Sequence, residues 1–243
     1  MLATLRRPKW IVAGVSVVLL AAVFVRLGLW QLARLEERRS TNEIGQARIS
    51  ADPVPLIELL TTANGDLDSL EYRSVTVAGV WDVTEEVLIR SQVERGNAGF
   101  HVITPLLTDE GPAVLVNRGW VPLTLDTTPV DQASPPSAQA EVEGWVHLTQ
   151  LRPPFGPEEP EGDLDVFNRV DIDRIASQMP YPVAPVYAVA VGESDEQLPI
   201  PDDPPDFTDE GPHLSYAIQW FAFAVIGLVG FFFLLRRKAA QGR

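Results

Sequence analysis

Three histidines and two methionines are the soft metal-binding side chains of this chain, which has no cysteine. Thiolate chemistry, cysteine nucleophiles and covalent c-type haem attachment are therefore excluded. A neutral imidazole can bind iron, copper or zinc through either ring nitrogen. His101 and His147 fall in strand-like segments, where an ordinary structural histidine is the simpler interpretation. His213 stands at the edge of a long apolar run and is the candidate metal ligand.

A second chemical group lies near the N-terminus, where four residues recur at intervals of four. They are Arg26, Trp30, Arg34 and Arg38. This spacing predicts a stripe along one face of a helix. Arg26 would lie about 6 Å from Trp30 along the helix axis, and Gln219 about 9 Å from His213. Inside a bilayer, such polar groups are costly without partners and are functional candidates. The equally weighted alternative is that Arg26 extends to lipid head groups and Gln219 bonds to the first helix.

Catalytic patterns are missing from the sequence. It contains no Gly-x-Ser-x-Gly motif, phosphate-binding loop or metal-spaced histidine pair. Asp171 and Asp173 could offer oxygen ligands to a metal, but a solvated pair is the more frequent outcome in a chain with 33 carboxylates. The sequence therefore predicts a protein that is not an enzyme.

Two apolar segments, residues 10–29 and 216–235, must position the groups at the chain ends. Twenty helical residues extend roughly 30 Å, the thickness of the hydrocarbon core of a bilayer. Arg6, Arg7 and Lys9 would also suit a secretory signal peptide. The first apolar run is longer than usual for that role, and no convincing cleavage site follows it. We expect both segments to be retained as transmembrane helices.

Charge distribution predicts the orientation. Residues 30–212 contain 11 arginines, no lysine and all 33 carboxylates, a formal net charge of −22. The remaining basic residues lie in or beside the two apolar segments, and such residues stay cytoplasmic. We therefore expect a multi-pass membrane protein with both termini cytoplasmic. The net acidity argues against nucleic acid as a partner. The lipid bilayer is the partner that the two apolar segments predict.

The middle of the chain is strand-rich. Alternating or β-branched runs predict strands at residues 72–80, 87–90, 100–107, 113–116, 142–148 and 183–191. Asp171 would cap a short helix ending near Gln178. The fold class is thus a membrane protein whose N- and C-terminal transmembrane helices flank one β-rich α+β extracytoplasmic domain. The predicted boundaries are a tail 1–9, a helix 10–29, a domain 30–192, an acidic Pro-rich arm 193–212, a helix 213–235 and a tail 236–243.

Three motifs resemble the Surfeit locus protein 1 family. They are Gly28-Leu29-Trp30-Gln31-Leu32-Ala33-Arg34, Val116-Asn117-Arg118-Gly119-Trp120-Val121-Pro122 and His213-Leu214-Ser215-Tyr216-Ala217-Ile218-Gln219-Trp220-Phe221. The resemblance runs through the whole chain in order and includes the two-span topology. One departure is Arg38, where the family often has lysine, so the charge is kept. The short basic N-terminal segment is similar to that of bacterial members, so the resemblance implies a location in the bacterial plasma membrane.

The resemblance implies a role in assembling haem–copper cytochrome c oxidase, chiefly when haem a reaches the catalytic subunit. That subunit, and haem a synthase, are the implied protein partners. Some bacterial members bind haem a, and His213 matches the histidine proposed as its ligand. The remaining implied cofactor contacts lie at the two spans: Arg26, Trp30, Arg34, Gln219 and Trp220.

Two other functions stay open at this point. A scaffolding protein could remain with the respiratory oxidase through its acidic domain and helices. An anchored sensor or transporter accessory is a third, weaker interpretation. Pigment with a Soret band in the purified protein would favour the haem carrier, whereas unpigmented stoichiometric co-purification with the oxidase would favour the scaffold.

Overall fold

A computed structural model describes residues 8–192 and 197–241 of the chain. These residues divide into two compact units. The first contains residues 8–44 and 206–241, and the second contains 45–192 and 197–205. Part of the predicted tails and the first residues of the predicted arm, 193–196, lie outside the described residues.

Two long helices dominate the first unit: α1 (Pro8–Ile49), whose last five residues belong to the second unit, and α4 (His213–Gln241). Both are long and apolar enough to cross a membrane, and only 11% of each apolar window is buried within the protein. Their apolar side chains therefore face outward, as in helices surrounded by lipid. The predicted terminal helices are confirmed, and α1 continues well past the apolar run because residues 30–49 keep strong helix formers without proline or glycine until Gly45.

Small residues let α1 and α4 pack closely. Gly28 and Ala217 are buried between the helices. A Cβ atom added at Gly28 would lie 2.6 Å from Cε1 of Phe221, so this ring rests on the glycine. Phe24 stacks on Trp220 with ring centroids 5.6 Å apart. Close approach at small residues is the usual way in which membrane helices gain packing contacts.

The second unit is a β-rich domain. Its strands are β1 (Val54–Pro55), β2 (Ser74–Trp81), β3 (Val87–Glu94), β4 (Asn97–Leu107), β5 (Ala113–Pro122), β6 (Gln139–Leu148), β7 (Val166–Phe167) and β8 (Val183–Ala190). Two short helices accompany them, α2 (Leu56–Thr62) and α3 (Ile172–Ala176). The Asp171 carboxylate caps α3 by accepting a hydrogen bond from the Arg174 N–H, as the sequence predicted.

Five strands close into a barrel. The sheet order is β1-β2-β6-β8-β5-β4-β3-β7, and β2 also pairs with β4 through Val80 with Leu107 and Trp81 with Leu106. The ring therefore runs β2-β6-β8-β5-β4 and returns to β2. Only β5 and β8 are parallel neighbours within this ring. Closure leaves no free edge among the five strands and encloses a hydrophobic core.

The strand predictions are confirmed in position, but several strands are longer than predicted. The β5 strand continues to Pro122, and β3 continues past a bulge between Ile89 and Gln92. Both extensions contain polar residues, so the pattern of apolar residues that predicts a strand stops before the strand ends. The two-residue strands β1 and β7 were not predicted because they are too short for a period to register.

Candidate functional sites

The mouth of α4 holds the predicted ligand His213. Its Nδ1 lies 2.9 Å from Oε1 of Gln31 on α1. An amide oxygen can only accept, so Nδ1 donates its proton to Gln31. Nε2 has no hydrogen-bond partner among the described residues. Of the two tautomers of a neutral imidazole, the contact selects the one that can bind a metal through Nε2.

Two arginines share a polar cleft with His213. The cleft has a volume of about 390 Å³ and is lined by Arg34 and Arg38 on one side and by Asp209 and Gly211 on the other. The Arg34 guanidinium also pairs with Glu37 at 2.5 Å. One imidazole nitrogen and two guanidinium groups therefore meet in one opening, a combination suited to a metal complex that carries carboxylate groups.

The chain just before α4 is fastened to α1. Arg39 binds both carboxylate oxygens of Glu210 at 2.8 Å, and the side chains of Arg38 and Asn42 donate to the carbonyl oxygen of Asp209. The hydrogen bond from Arg39 lowers the pKa of the Glu210 carboxyl below its usual value. These contacts fix the start of α4, and with it His213, against α1.

The arginine stripe does not stay on one side of α1. Residues spaced by four advance about 40° around a helix at each step, because four residues exceed one turn of 3.6. Arg26 and Trp30 line a separate apolar hollow with Leu27, Leu29 and Ala33. Arg34, which is two steps of four residues beyond Arg26, lines the His213 cleft instead. Trp30 is 54% exposed, which places it on the outside of the helix pair.

The two predicted contacts on α4 also separate. Gln219 is exposed, and no hydrogen bond of its side chain is found among the described residues. Trp220 instead contributes to an aromatic cluster with Phe24 and Phe223, with centroids 5.6 Å and 6.0 Å away. The structure therefore brings Arg34 to His213 and distributes Arg26, Trp30, Gln219 and Trp220 over other surfaces of the helix pair.

A second polar network lies on the barrel, where sequence reasoning saw only isolated residues. The Gly119 N–H donates to Oδ1 of Asn117 at 2.9 Å, which orients the amide nitrogen toward its two other partners. That nitrogen donates to Oδ2 of Asp202 at 2.8 Å and to Nδ1 of His101 at 3.1 Å. His101 Nε2 then donates to Asp202 Oδ1 at 3.0 Å. Every member is satisfied, so the network is a structural clasp.

The second sequence motif holds the proline-rich segment onto this barrel. Trp120 and Ile200 exchange backbone hydrogen bonds, and a Cβ atom at Gly119 would lie 2.1 Å from the Ile200 carbonyl oxygen. Arg118 is buried and pairs with the buried Glu86 at 3.3 Å. Burial lowers the pKa of Arg118, and the charge of Glu86 opposes this shift. The motif is therefore explained as a docking strand for residues 197–205.

Within residues 8–192 and 197–241, no group of three or more histidine or carboxylate side chains is close enough to hold a metal ion. His213 with its arginines is thus the described site best suited to a cofactor that needs a single protein ligand. Gln31 and Asn117 belong to the first and second sequence motifs, but the sequence predicted no role for either. Their contacts with His213 and Asp202 join segments too distant in sequence to predict.

A closed β-barrel that lies in sequence between two helices long and apolar enough to cross a membrane defines the class of this protein. The family model described as "SURF1 family" matches residues 18–225. A SURF1-like protein of Mycobacterium tuberculosis is 32% identical over 239 residues, which cover 94% of this chain and 84% of the relative. Human Surfeit locus protein 1 is 27% identical over 218 residues, 82% of this chain and 69% of the relative. The chain belongs to the SURF1 family.

Proposed function

We propose that this protein is a non-enzymatic assembly factor for haem–copper cytochrome c oxidase that assists the insertion of haem a. Membership of the SURF1 family supports the oxidase role through the function that the sequence resemblance implies. The observation that carries the haem part is the His213–Gln31 contact of 2.9 Å, which leaves Nε2 available beside Arg34 and Arg38.

The cleft residues suit haem a as a cargo. Haem a would supply an iron that an imidazole can ligate, together with carboxylate groups that guanidinium groups can bind. In the proposal, His213 binds through Nε2 while Gln31 keeps the proton on Nδ1. Arg34 and Arg38 bind carboxylates, which Arg34 can do by exchanging its exposed partner Glu37. An open, solvent-facing cleft suits transfer better than permanent storage.

The other predicted contacts remain part of the proposal as outer contacts. Arg26 and Trp30 would meet the cargo or a partner through their own hollow on α1. Trp220 would act through the aromatic cluster that fixes the spacing of the helices, and Gln219 through its exposed amide. Because Arg34 lines the His213 cleft and Arg26 does not, Arg34→Ala should lower haem content more than Arg26→Ala.

The proposed partners are the oxidase catalytic subunit and haem a synthase, both reached in the bacterial plasma membrane. Both termini are proposed to be cytoplasmic, since the basic residues flank the spans. The chain lacks cysteine, so single cysteines can report this topology. A cysteine at Ser134 should react with an impermeant maleimide in whole cells, and one at Gln241 should not. Protection at Ser134 would overturn the orientation.

The decisive experiment deletes the gene and measures haem a per oxidase catalytic subunit. The proposal predicts normal synthesis of the subunits with reduced haem a occupancy. The wild-type gene should restore occupancy, whereas His213→Ala should not. Exposed Arg152→Ala, outside the helix unit, is the matched control and should restore it fully. Normal haem a occupancy in a deletion strain that still loses oxidase complex would instead identify the scaffolding function.

A further inference from the structure

The barrel carries a cavity of about 380 Å³, within the size range of small-molecule sites. It lies beside the His101 clasp, and strands β3, β4, β5, β6 and β8 all contribute to its wall. The residues important here are Trp145, His147, Gln150, Tyr187 and Asp202. No lysine or arginine is among the described residues that line it.

A chain of hydrogen bonds fixes the direction of the Tyr187 hydroxyl. The Val170 N–H donates to Oε1 of Gln150 at 3.1 Å, so the amide nitrogen of Gln150 points the other way. That nitrogen donates to the Tyr187 hydroxyl oxygen at 3.2 Å. The hydroxyl proton therefore remains available as a donor, and no described residue accepts it. Burial also raises the pKa of Tyr187, which keeps this proton in place.

Trp145 provides a second donor without an acceptor. This residue lines the cavity and is only 3% exposed, yet its Nε1–H has no partner among the described residues. A buried donor without an acceptor costs on the order of 1–3 kcal/mol. The Trp145 ring is part of the cavity wall, so its indole signal can report on ligand binding there.

A stacked pair of aromatic rings forms part of the cavity wall. The His147 ring stacks on the Tyr187 ring, with centroids 5.5 Å apart and an interplanar angle of 19°. Burial lowers the pKa of His147, so the ring is neutral. A flat ligand can pack against such a wall.

The acidic neighbours restrict the charge of the ligand. Asp202 has both oxygens occupied by Asn117 and His101, so it offers little to a cation. Asp202, Asp203 and Glu94 would nevertheless repel an anion. We propose that this cavity binds a small, uncharged, flat molecule whose carbonyl oxygen accepts from the Tyr187 hydroxyl. This proposal does not depend on the oxidase assembly function.

Three probes of one shape and different charge test the proposal: benzamide, benzoate and benzamidine. The full-length protein is labelled with ¹⁵N-tryptophan in detergent, which gives six indole signals because the chain has six tryptophans. Benzamide should shift the Trp145 indole signal saturably. Trp120 is the internal control, since its Nε1–H is also buried without a described acceptor but Trp120 does not line the cavity.

The expected affinity order is benzamide first, with benzoate and benzamidine each about tenfold weaker. Benzoate is repelled by the acidic residues, and benzamidine has no oxygen to accept a hydrogen bond. Tyr187→Phe keeps the ring but removes the donor, and should weaken benzamide binding about tenfold. Tyr181→Phe removes a hydroxyl bound to Asp82 elsewhere in the domain and should leave the affinity unchanged.

Three results would overturn the assignment. The first is no saturable shift of Trp145, and the second is an equal shift of Trp145 and Trp120, which would indicate nonspecific partitioning. The third is benzamidine binding as tightly as benzamide, which would identify an acid-driven cation site. The comparison of the three probes uses only the wild-type protein, so it stands even if Tyr187→Phe does not fold.

Discussion

Nδ1 of His213 and Oε1 of Gln31 lie 2.9 Å apart, although 182 positions separate the two residues in the chain. Each belongs to a different sequence motif, one on α1 and one at the start of α4. Their contact joins the two motifs in space, because the amide oxygen of Gln31 accepts the proton on Nδ1 of His213. The cleft forms only where the two helices meet, because α1 contributes Arg34 and Arg38 and α4 contributes His213.

The buried Arg118–Glu86 pair should be essential to the barrel. Glu86 also accepts from Thr104 and the Val130 N–H, so removing Arg118 leaves a buried carboxylate with uncharged donors only. Arg118→Leu should lower the free energy of unfolding by about 3–5 kcal/mol. Denaturant unfolding followed by tryptophan fluorescence measures this.

The control for Arg118 is the exposed pair of Arg152 and Glu158. Arg152→Leu should cost no more than about 1 kcal/mol, because water screens this pair. The double variant Arg118→Leu with Glu86→Leu should be more stable than Arg118→Leu alone, since it removes the uncompensated charge. Equal losses for Arg118→Leu and Arg152→Leu would contradict the assigned role of the buried pair.

Gly119→Ala should release the proline-rich segment from β5. Gly119 has a φ of 121°, and a Cβ atom there would lie 2.1 Å from the Ile200 carbonyl oxygen. Gly96→Ala is the control, because Gly96 also has a positive φ, 81°, but open space around it. Both variants carry a backbone cost of about 1–2 kcal/mol.

Only Gly119→Ala adds the collision with Ile200. Amide hydrogen exchange at Trp120 and Ile200, which bond to each other, should therefore accelerate in that variant and stay slow in Gly96→Ala. Equal protection of these two amides in both variants would show that the segment does not depend on close approach at Gly119.

His147 should make the domain sensitive to acid. Burial lowers its pKa below the ordinary value of 6.5, so the unfolded chain binds a proton more readily than the folded one. The stabilising contribution is complete above about pH 6.5 and is lost as the pH falls through the folded pKa. His147→Phe preserves a ring between Tyr72 and Tyr187 without titrating.

The measurement is the free energy of unfolding between pH 7.5 and about pH 5 in wild type and His147→Phe. The wild type should lose more stability over this interval than the variant. Tyr181→Phe serves as a control with an unchanged pH slope, because its partner Asp82 has a lowered pKa and titrates below this interval. Identical slopes for wild type and His147→Phe would refute the assignment.

Much of the fold was readable from the sequence. The terminal helices follow from uninterrupted apolar runs. The β2 strand follows from the valines that alternate with small or polar residues between Ser74 and Trp81, and the structure buries Val75 and Val77. The Asp171 cap follows from local chemistry. Closure of the barrel could not be predicted, because it depends on two residue pairs between β2 and β4 that no local pattern encodes.

The site was only partly predictable for the same reason. Sequence spacing placed Arg26 and Arg34 on one stripe, and the drift of about 40° per step then carried them to different surfaces. His101 was interpreted as an ordinary strand histidine, and its satisfied network agrees with that interpretation. Its partner Asp202 is 101 residues away in the proline-rich segment, beyond the reach of any spacing rule.

In the proposed function, the cleft at the mouth of α4 carries haem a through His213. The most direct test is the absorption spectrum of detergent-purified protein from cells that make haem a, expressed as haem per protein. Wild type should show a Soret band, and His213→Ala should remove it while both helices still insert. His101→Ala and His147→Ala, at matched expression, should keep it. Arg34→Ala should retain a weaker band, since one carboxylate partner contributes about 1–3 kcal/mol. An unpigmented wild type, or a wild-type Soret band in His213→Ala, would contradict the account.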